Sequence, residues 1–271
     1  LDAEKYEQTK QLQEQCSKFP IKTNPFLQKD GELPRLQQPA EKLLRGLIER
    51  LGSYASHGGF TLTKPIYTTV ADCLQLIYTH GSTRTLLDSM SKWEELLNSK
   101  DTTLPTRIAL FHCAETLFVS LGKSLVSYVE PFLNSATKQF KMVTGTDVGS
   151  VSVRSSAIRC VGRALDAVGK SGCRHHTAAL KIVVRAAADR SIEVRRAAAG
   201  ALASVAQSAY EWADFNPEKG SVTVDQLLVV ASKGLDQSQN CHDGQLAFGR
   251  VVGYILSLAI VHVKNESSGS D

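Results

Sequence analysis

An internal repeat of helical periodicity is the feature that most constrains how this chain can fold. One apolar stripe, spaced i, i+4, i+7, i+8, i+11, i+12 and i+15, recurs five times at shifts of 40, 47, 41 and 50 residues. This spacing puts every member of the stripe on one face of an α-helix. The clearest copy consists of Val194, Ala198, Ala201, Leu202, Val205, Ala206 and Ala209. The other four copies start at Ile66, Thr106, Val153 and Gly244.

A second set of amphipathic segments alternates with the first, near residues 40–51, 86–97, 125–140, 180–187 and 224–235. The repeating unit is therefore two antiparallel helices, with the period of HEAT or armadillo repeats. One such pair cannot cover its own apolar faces, so the pairs have to stack and share a continuous core. The sequence predicts an all-α fold, a right-handed α-solenoid of about five HEAT-type helix pairs.

The predicted domains follow from where this pattern begins and ends. Residues 1–39 form an N-terminal helix and a Pro-rich lead-in, because a polar helical segment at 3–18 is followed by four prolines. Residues 40–263 form the repeat array, and residues 264–271 a disordered tail. The chain starts at Leu1, from which we expect it to be a piece of a longer protein.

Composition fits a helical chain in a reducing compartment. Aromatic residues make up only 7% of the 271, and the 31 Lys and Arg exceed the 27 Asp and Glu by four. Six cysteines without a Cys-x-x-Cys pair indicate a reducing compartment and no disulfide framework. No apolar run reaches 18 residues, so no membrane span is predicted.

Five charged residues are predicted to join neighbouring repeats. Arg107, Arg154 and Arg195 occupy one equivalent position in three successive copies. Asp101 and Asp189 each precede an arginine of this set by six residues, in the turn before the helix. A turn aspartate that accepts hydrogen bonds from a neighbouring unit's arginine would connect the repeats.

The same arginines allow a second interpretation, a basic groove for nucleic acid. Its members would be Arg154, Arg159, Arg163, Arg185, Arg190, Arg195 and Arg196. The small net charge favours the structural interpretation. Trp212 follows the fourth copy of the stripe, and its two interpretations are a core or capping contact and a partner-binding anchor.

Two Gly-Lys-Ser triplets have the ending of a phosphate-binding loop, at Gly122-Lys123-Ser124 and Gly169-Lys170-Ser171. The required earlier glycine is replaced by Leu117 and Ala164, and a helix precedes each triplet instead of a strand. We therefore predict that both glycines are helix C-caps.

Metal and catalytic motifs are incomplete. Cys173, His175 and His176, and likewise the Cys241-His242 pair, do not complete a four-ligand set. Both His175 and His176 are expected near a helix start, partly exposed. We predict no metal, no cofactor, no catalytic residue and no enzymatic activity.

The order of several segments resembles the N-terminal region of the HEAT-repeat-containing protein 5 family, the large clathrin-adaptor accessory proteins. These segments are Leu104-Pro105-Thr106-Arg107, residues 191–198, Trp212 and residues 228–238, and the resemblance spans roughly residues 64–260. Gln245 departs from the pattern, which favours Val-Arg at this place.

This resemblance implies a non-catalytic scaffold of membrane traffic. Such a scaffold acts with a clathrin adaptor complex and accessory subunits at the trans-Golgi network and endosomes. It is cytoplasmic and reaches the membrane only through these partners. No nucleic acid is expected, and a homodimer formed through regions outside this sequence stays open. The alternatives are a HEAT scaffold of nuclear transport or phosphatase regulation, and a nucleic-acid-binding helical repeat.

Overall fold

Alternating helices and short turns make up the part of the chain that the computed structural model describes. It describes residues 83–210 and 222–268, and side chains at 90–210 and 222–260. Eight α-helices lie in these ranges, and none of the described residues forms a strand. They are α1 (Thr83–Asn98), α2 (Leu104–Leu121), α3 (Val129–Met142), α4 (Val148–Val168), α5 (His176–Ala187), α6 (Ile192–Tyr210), α7 (Val224–Gln237) and α8 (His242–Ser268). The predicted all-α class is confirmed for these residues.

Local sequence signals account for several helix starts. Pro105 lies in the first turn of α2, where its missing N–H costs no hydrogen bond. The Asp147 side chain caps α4 by accepting from the backbone N–H of Ser150. At the start of α7, Thr223 and Gln226 form a capping box in which each side chain accepts from the other's backbone N–H. These caps satisfy donors that have no partner within their own helix.

Glycine ends two helices at equivalent places. Gly122 after α2 and Gly169 after α4 have φ values of 53° and 55°, which an L side chain rarely adopts. The prediction that both are C-caps is confirmed. Each glycine opens a 3-10 segment, Gly122–Tyr128 and Gly169–His175, that leads to the next helix. The helix expected to begin near residue 125 therefore starts as a 3-10 segment and becomes α-helical at Val129.

The helices form two rows. In one row α2 contacts α4, α4 contacts α6, and α6 contacts α8. In the other row α1 contacts α3, α3 contacts α5, and α5 contacts α7. The rows touch within the successive pairs α1–α2, α3–α4, α5–α6 and α7–α8. Arg107, Arg154 and Arg195 consequently lie on successive members of the first row.

Apolar side chains of neighbouring helices form one continuous cluster among the described residues, within the compact unit Leu44–Asp271. Trp93 of α1 is fully buried, as its place on the apolar stripe predicts. Phe118 of α2 meets Phe132 of α3 edge to face, with ring centroids 5.7 Å apart. Gly162 of α4 lies directly against Ala201 of α6, since small side chains allow two helices to approach closely.

The two ends of the predicted domain organisation have different outcomes. The N-terminal helix, the Pro-rich lead-in, the first helix pair and Trp212 lie outside the described residues. At the other end, α8 continues to Ser268, so residues 264–268 of the predicted disordered tail are helical. Each residue added to an existing helix gains one backbone hydrogen bond, which favours this continuation.

One helical stretch, Leu104–Met142, meets the length and hydropathy criteria of a membrane span among the described residues. A core helix of a soluble protein passes the same test. Seven apolar residues of α2, from Ala109 to Phe118, are buried within the protein, as in a core helix.

Candidate partner-binding surface

Asp189, in the turn between α5 and α6, forms an ion pair with an arginine of the preceding helix pair. Arg154 of α4 donates from Nε to Asp189 Oδ2 at 2.8 Å and from a terminal nitrogen to Oδ1 at 3.2 Å. The other terminal nitrogen donates to the carbonyl oxygens of Val143 and Gly145. The two paired side chains are only 6% and 10% exposed. The predicted contact between a turn aspartate and a neighbouring unit's arginine is made here.

The equivalent Arg107 uses different partners. It donates to the carbonyl oxygens of Ser99 and Thr102 and, at 2.6 Å, to Gln139 Oε1 on α3. Gln139 in turn donates to a carbonyl oxygen at the end of α1 at 2.7 Å. Burial lowers the pKa of the Arg107 guanidinium from its usual value. Asp101 is exposed, and the hydrogen bonds of Arg107 within the described residues do not include it.

Arg195 makes its hydrogen bonds within its own turn. It donates to the carbonyl oxygens of Asp189 and Arg190, both at 2.9 Å. Its Nε is buried and has no hydrogen-bond partner among the described residues. In the next repeat Gln245 replaces arginine and donates to the Gln239 carbonyl oxygen at 3.0 Å. Arg107 and Arg195 thus share the carbonyl oxygen five residues earlier as a partner, Arg195 and Gln245 share the one six residues earlier, and Arg154 alone of the four pairs with a carboxylate among the described residues.

A line of polar contacts crosses the first row. Arg159 of α4 donates to Glu115 of α2 at 2.9 Å, and Arg163 lies 3.8 Å from the same carboxylate. Asp166 of α4 accepts from Ser204 of α6 at 2.9 Å.

A further ion pair joins α6 to α8, where Arg196 of α6 lies 3.4 Å from Asp243. Of the seven arginines that define the nucleic-acid alternative, five therefore bind carboxylates or carbonyl oxygens of the protein itself. The remaining two are Arg185 and Arg190, which are exposed.

Two open grooves lie side by side at the ends of the helices. One, of about 610 Å³, lies between the α3–α4 turn and the α5–α6 turn, and Arg154, Asp189, Arg185 and Arg190 line it. The other, of about 640 Å³, lies between the α1–α2 turn and the α3–α4 turn. Both grooves share Val143 and Thr144. The sequence does not reveal the grooves, since their walls come from turns about 40 residues apart.

A buried histidine lies on the side of α5 that faces α6. His176 Nε2 is 2.9 Å from Ser208 Oγ, which donates to the Gly169 carbonyl oxygen at 3.1 Å. Because the hydroxyl has one proton, Nε2 has to be the donor, and Nδ1 is left buried without a partner in the described structure. Burial, with a smaller contribution from the neighbouring His175, lowers the pKa of His176 to about 4.

The expectation that these histidines are partly exposed was wrong. His175 is 5% exposed and His176 is fully buried, because the preceding 3-10 segment carries them into the junction with α6. Ser204 and Ser208, spaced i, i+4 beside the alanine stripe of α6, were a sequence signal for polar contacts here. Both members of the His176–Ser208 pair are buried and already bonded, so this pair is a structural contact.

The last described helix has an uncovered apolar side. Leu246, Leu256 and Ile260 of α8 are exposed, and Gly249 and Gly253 between them face open space. Spacings of 3, 4, 3 and 4 residues put all five on one face of the helix. Gly253 is the repeat equivalent of Gly162 on α4, whose side of the helix is covered by α6.

The described residues contain no group of three or more His, Cys, Asp or Glu side chains that could hold a metal ion. Comparison with known proteins finds no matching family model and no matching solved structure.

Proposed function

We propose that this chain is a non-catalytic scaffold of membrane traffic, built as a right-handed α-solenoid of HEAT-type helix pairs. In this proposal it acts with a clathrin adaptor complex and accessory subunits at the trans-Golgi network and endosomes. It is cytoplasmic and associates with the membrane through those partners. Binding is the mechanism, because stacked helix pairs present side chains to proteins over a long, rigid surface.

The observation that carries the proposal is the order of contacts between helices. Each member of the row α2, α4, α6 and α8 contacts the next, and equivalent arginines lie on three of the four. Nearest-neighbour packing of this kind is what a solenoid requires, since every pair buries its apolar face on adjacent pairs. The assignment to the adaptor-accessory family rests on the resemblance in segment order.

The partners of the arginines favour protein binding over nucleic-acid binding. Non-specific binding of nucleic acid depends on many Lys and Arg contacts to phosphates. Five of the seven candidate arginines are already engaged, Arg154 and Arg159 with carboxylates that neutralise them. This leaves two of the seven, Arg185 and Arg190, without such a partner among the described residues and supports the scaffold over the nucleic-acid alternative.

Affinity purification from cytosol with quantitative mass spectrometry tests the proposal. The chain is immobilised, and a helical-repeat protein of similar size and net charge serves as the control bait. We expect enrichment of the subunits of the heterotetrameric clathrin adaptor on the chain over the control. Enrichment of nuclear transport factors or phosphatase subunits instead would reject the membrane-traffic assignment and keep the scaffold.

A mobility-shift assay addresses the remaining alternative. We expect no salt-dependent binding of DNA or RNA at near-physiological ionic strength, because few arginines are available. Tight binding that weakens steeply with salt would contradict the proposal.

A further inference from the structure

We infer that the groove between the α3–α4 turn and the α5–α6 turn binds an acidic peptide segment of a partner protein, one in which acidic and bulky apolar residues alternate. This inference rests on the proposed protein-binding role and names the chemistry of the partner. The arginines involved form no ion pair with another residue of the described repeats.

The charge of the groove is the first reason. Arg154 and Asp189 neutralise each other at its base. Arg185 and Arg190 lie at its edge, both exposed, and no ion pair joins either of them to a carboxylate within the described residues. The groove therefore carries an excess of two positive charges. An exposed arginine pair of this kind matches the planar geometry of carboxylates.

The apolar wall is the second reason. Val184 is half-buried and Ala188 is exposed, and these two supply the apolar surface of the groove that a side chain can reach; Phe140 and Val143 also line it but are almost fully buried. Two cations beside an apolar wall suit a peptide that offers carboxylates and a Leu or Phe side chain together. A nucleic acid would offer many phosphates and no apolar side chain, so two free arginines are a poor match for it.

The adjoining groove extends the site. It shares Val143 and Thr144 with the first and adds Lys100 and Arg107 as cations and Asp101 as the one acidic side chain. Five cationic and two anionic side chains thus line the two grooves together. A strand of peptide could follow the helix ends across two successive pairs, as long binding surfaces of repeat proteins allow.

Fluorescence anisotropy with two labelled peptides of about 12 residues tests the inference. One peptide alternates Glu with Leu and Phe, and the other replaces each Glu by Lys. We expect the acidic peptide alone to bind, and its affinity to fall with salt. The double variant Arg185→Glu/Arg190→Glu should weaken its binding at least about tenfold, because both attractive charges become repulsive.

The matched control is Lys123→Glu/Lys233→Glu. It makes the same change in net charge at exposed positions outside the lining of the groove. This variant should bind the acidic peptide within about twofold of the wild type. Equal losses in both variants, equal binding of the two peptides, or no effect of the groove variant would each overturn the inference. Tighter binding of single-stranded RNA or of phosphoinositide vesicles through Arg185 and Arg190 would also overturn it.

The same variants separate this inference from the proposed function. If the acidic peptide does not bind while the wild-type chain still captures adaptor subunits from cytosol, the groove assignment alone fails. If the peptide binds through the two arginines while adaptor subunits are not captured, the membrane-traffic assignment alone fails. Far-UV circular dichroism of each variant checks that the fold is retained.

Discussion

The junction between α4 and α6 and the junction between α6 and α8 occupy equivalent places but are held together differently. At the first, Arg154 and Asp189 form a buried ion pair. At the second, Arg195 donates to carbonyl oxygens of its own turn, and the ion pair between Arg196 and Asp243 is more than half exposed on both sides. Helix pairs with the same apolar pattern therefore stack whether or not a buried ion pair joins them.

The difference shows what a repeat position does and does not specify. The apolar stripe recurs at both junctions, and it accounts for the stacking at both. The polar contact depends on a second residue about 35 positions further along the chain. At the first junction that residue is Asp189 and an ion pair forms. At the second the equivalent position is Gln239, and Arg195 donates to nearby carbonyl oxygens.

The largest effect is expected from Asp189→Ala. It leaves the Arg154 guanidinium buried without a carboxylate and removes the bond from Ser191 N–H, so the free energy of unfolding should fall by about 3–5 kcal/mol. Urea denaturation followed by circular dichroism measures this. The double variant Arg154→Met/Asp189→Leu should recover most of the loss. A loss below about 1 kcal/mol would show that the buried pair does not distinguish this junction.

The α4–α6 junction should also depend on pH through His176. Its pKa is about 4 in the folded protein, against roughly 6.5 in the unfolded chain. Only the unfolded state binds the proton between these values. Stability is therefore complete above about pH 6.5 and decreases as the pH falls towards 4, by roughly 3 kcal/mol in total.

The variant His176→Phe should flatten this pH dependence, and His242→Gln, at an exposed histidine on α8, should leave it unchanged. Burial also lowers the pKa of His175, so part of the slope is expected to remain in His176→Phe. An unchanged slope in His176→Phe would contradict the role given to the buried imidazole.

A smaller effect is expected where Gly162 of α4 lies against α6. A Cβ on Gly162 would lie 2.9 Å from Ala201 Cα and 3.2 Å from its Cβ. Since backbone cannot move aside cheaply, Gly162→Ala should lower the free energy of unfolding by about 1–2 kcal/mol. Gly200→Ala on α6, where a Cβ meets nothing within 4 Å, should raise it by about 0.5–1 kcal/mol. Effects of the same sign would rule out a close contact specific to this junction.

The smallest effect is expected at the second junction. Asp243→Asn removes the ion pair with Arg196, whose side chains are 56% and 58% exposed. Solvent screens such a pair, so the free energy of unfolding should stay within the error of the measurement. A loss as large as that of Asp189→Ala would mean that the two junctions depend equally on charge.

How well the sequence predicted a contact depended on how far apart along the chain the contacting residues lie. Periodicity within one helix placed Trp93 in the core, and the two Gly-Lys-Ser triplets marked C-caps at Gly122 and Gly169. Contacts between residues of different turns were harder to predict from the sequence. The sequence put Asp189 and Asp101 in the same turn position, and among the described residues Asp189 alone meets a neighbouring unit's arginine. Arg107, which belongs to the unit of Asp101, bonds to Gln139.

By itself the sequence determined that these residues form paired helices with one apolar stripe each, because helical periodicity and glycine caps act over a few neighbouring residues. The tertiary structure decided which arginine gains a carboxylate, that His176 is buried against Ser208, and that Arg185 and Arg190 are left at an open groove. The physical reason is that each of these outcomes needs two turns or helices, some 30 to 45 residues apart, to be brought within a few ångströms. A periodic pattern places them on neighbouring units without fixing which side chains meet.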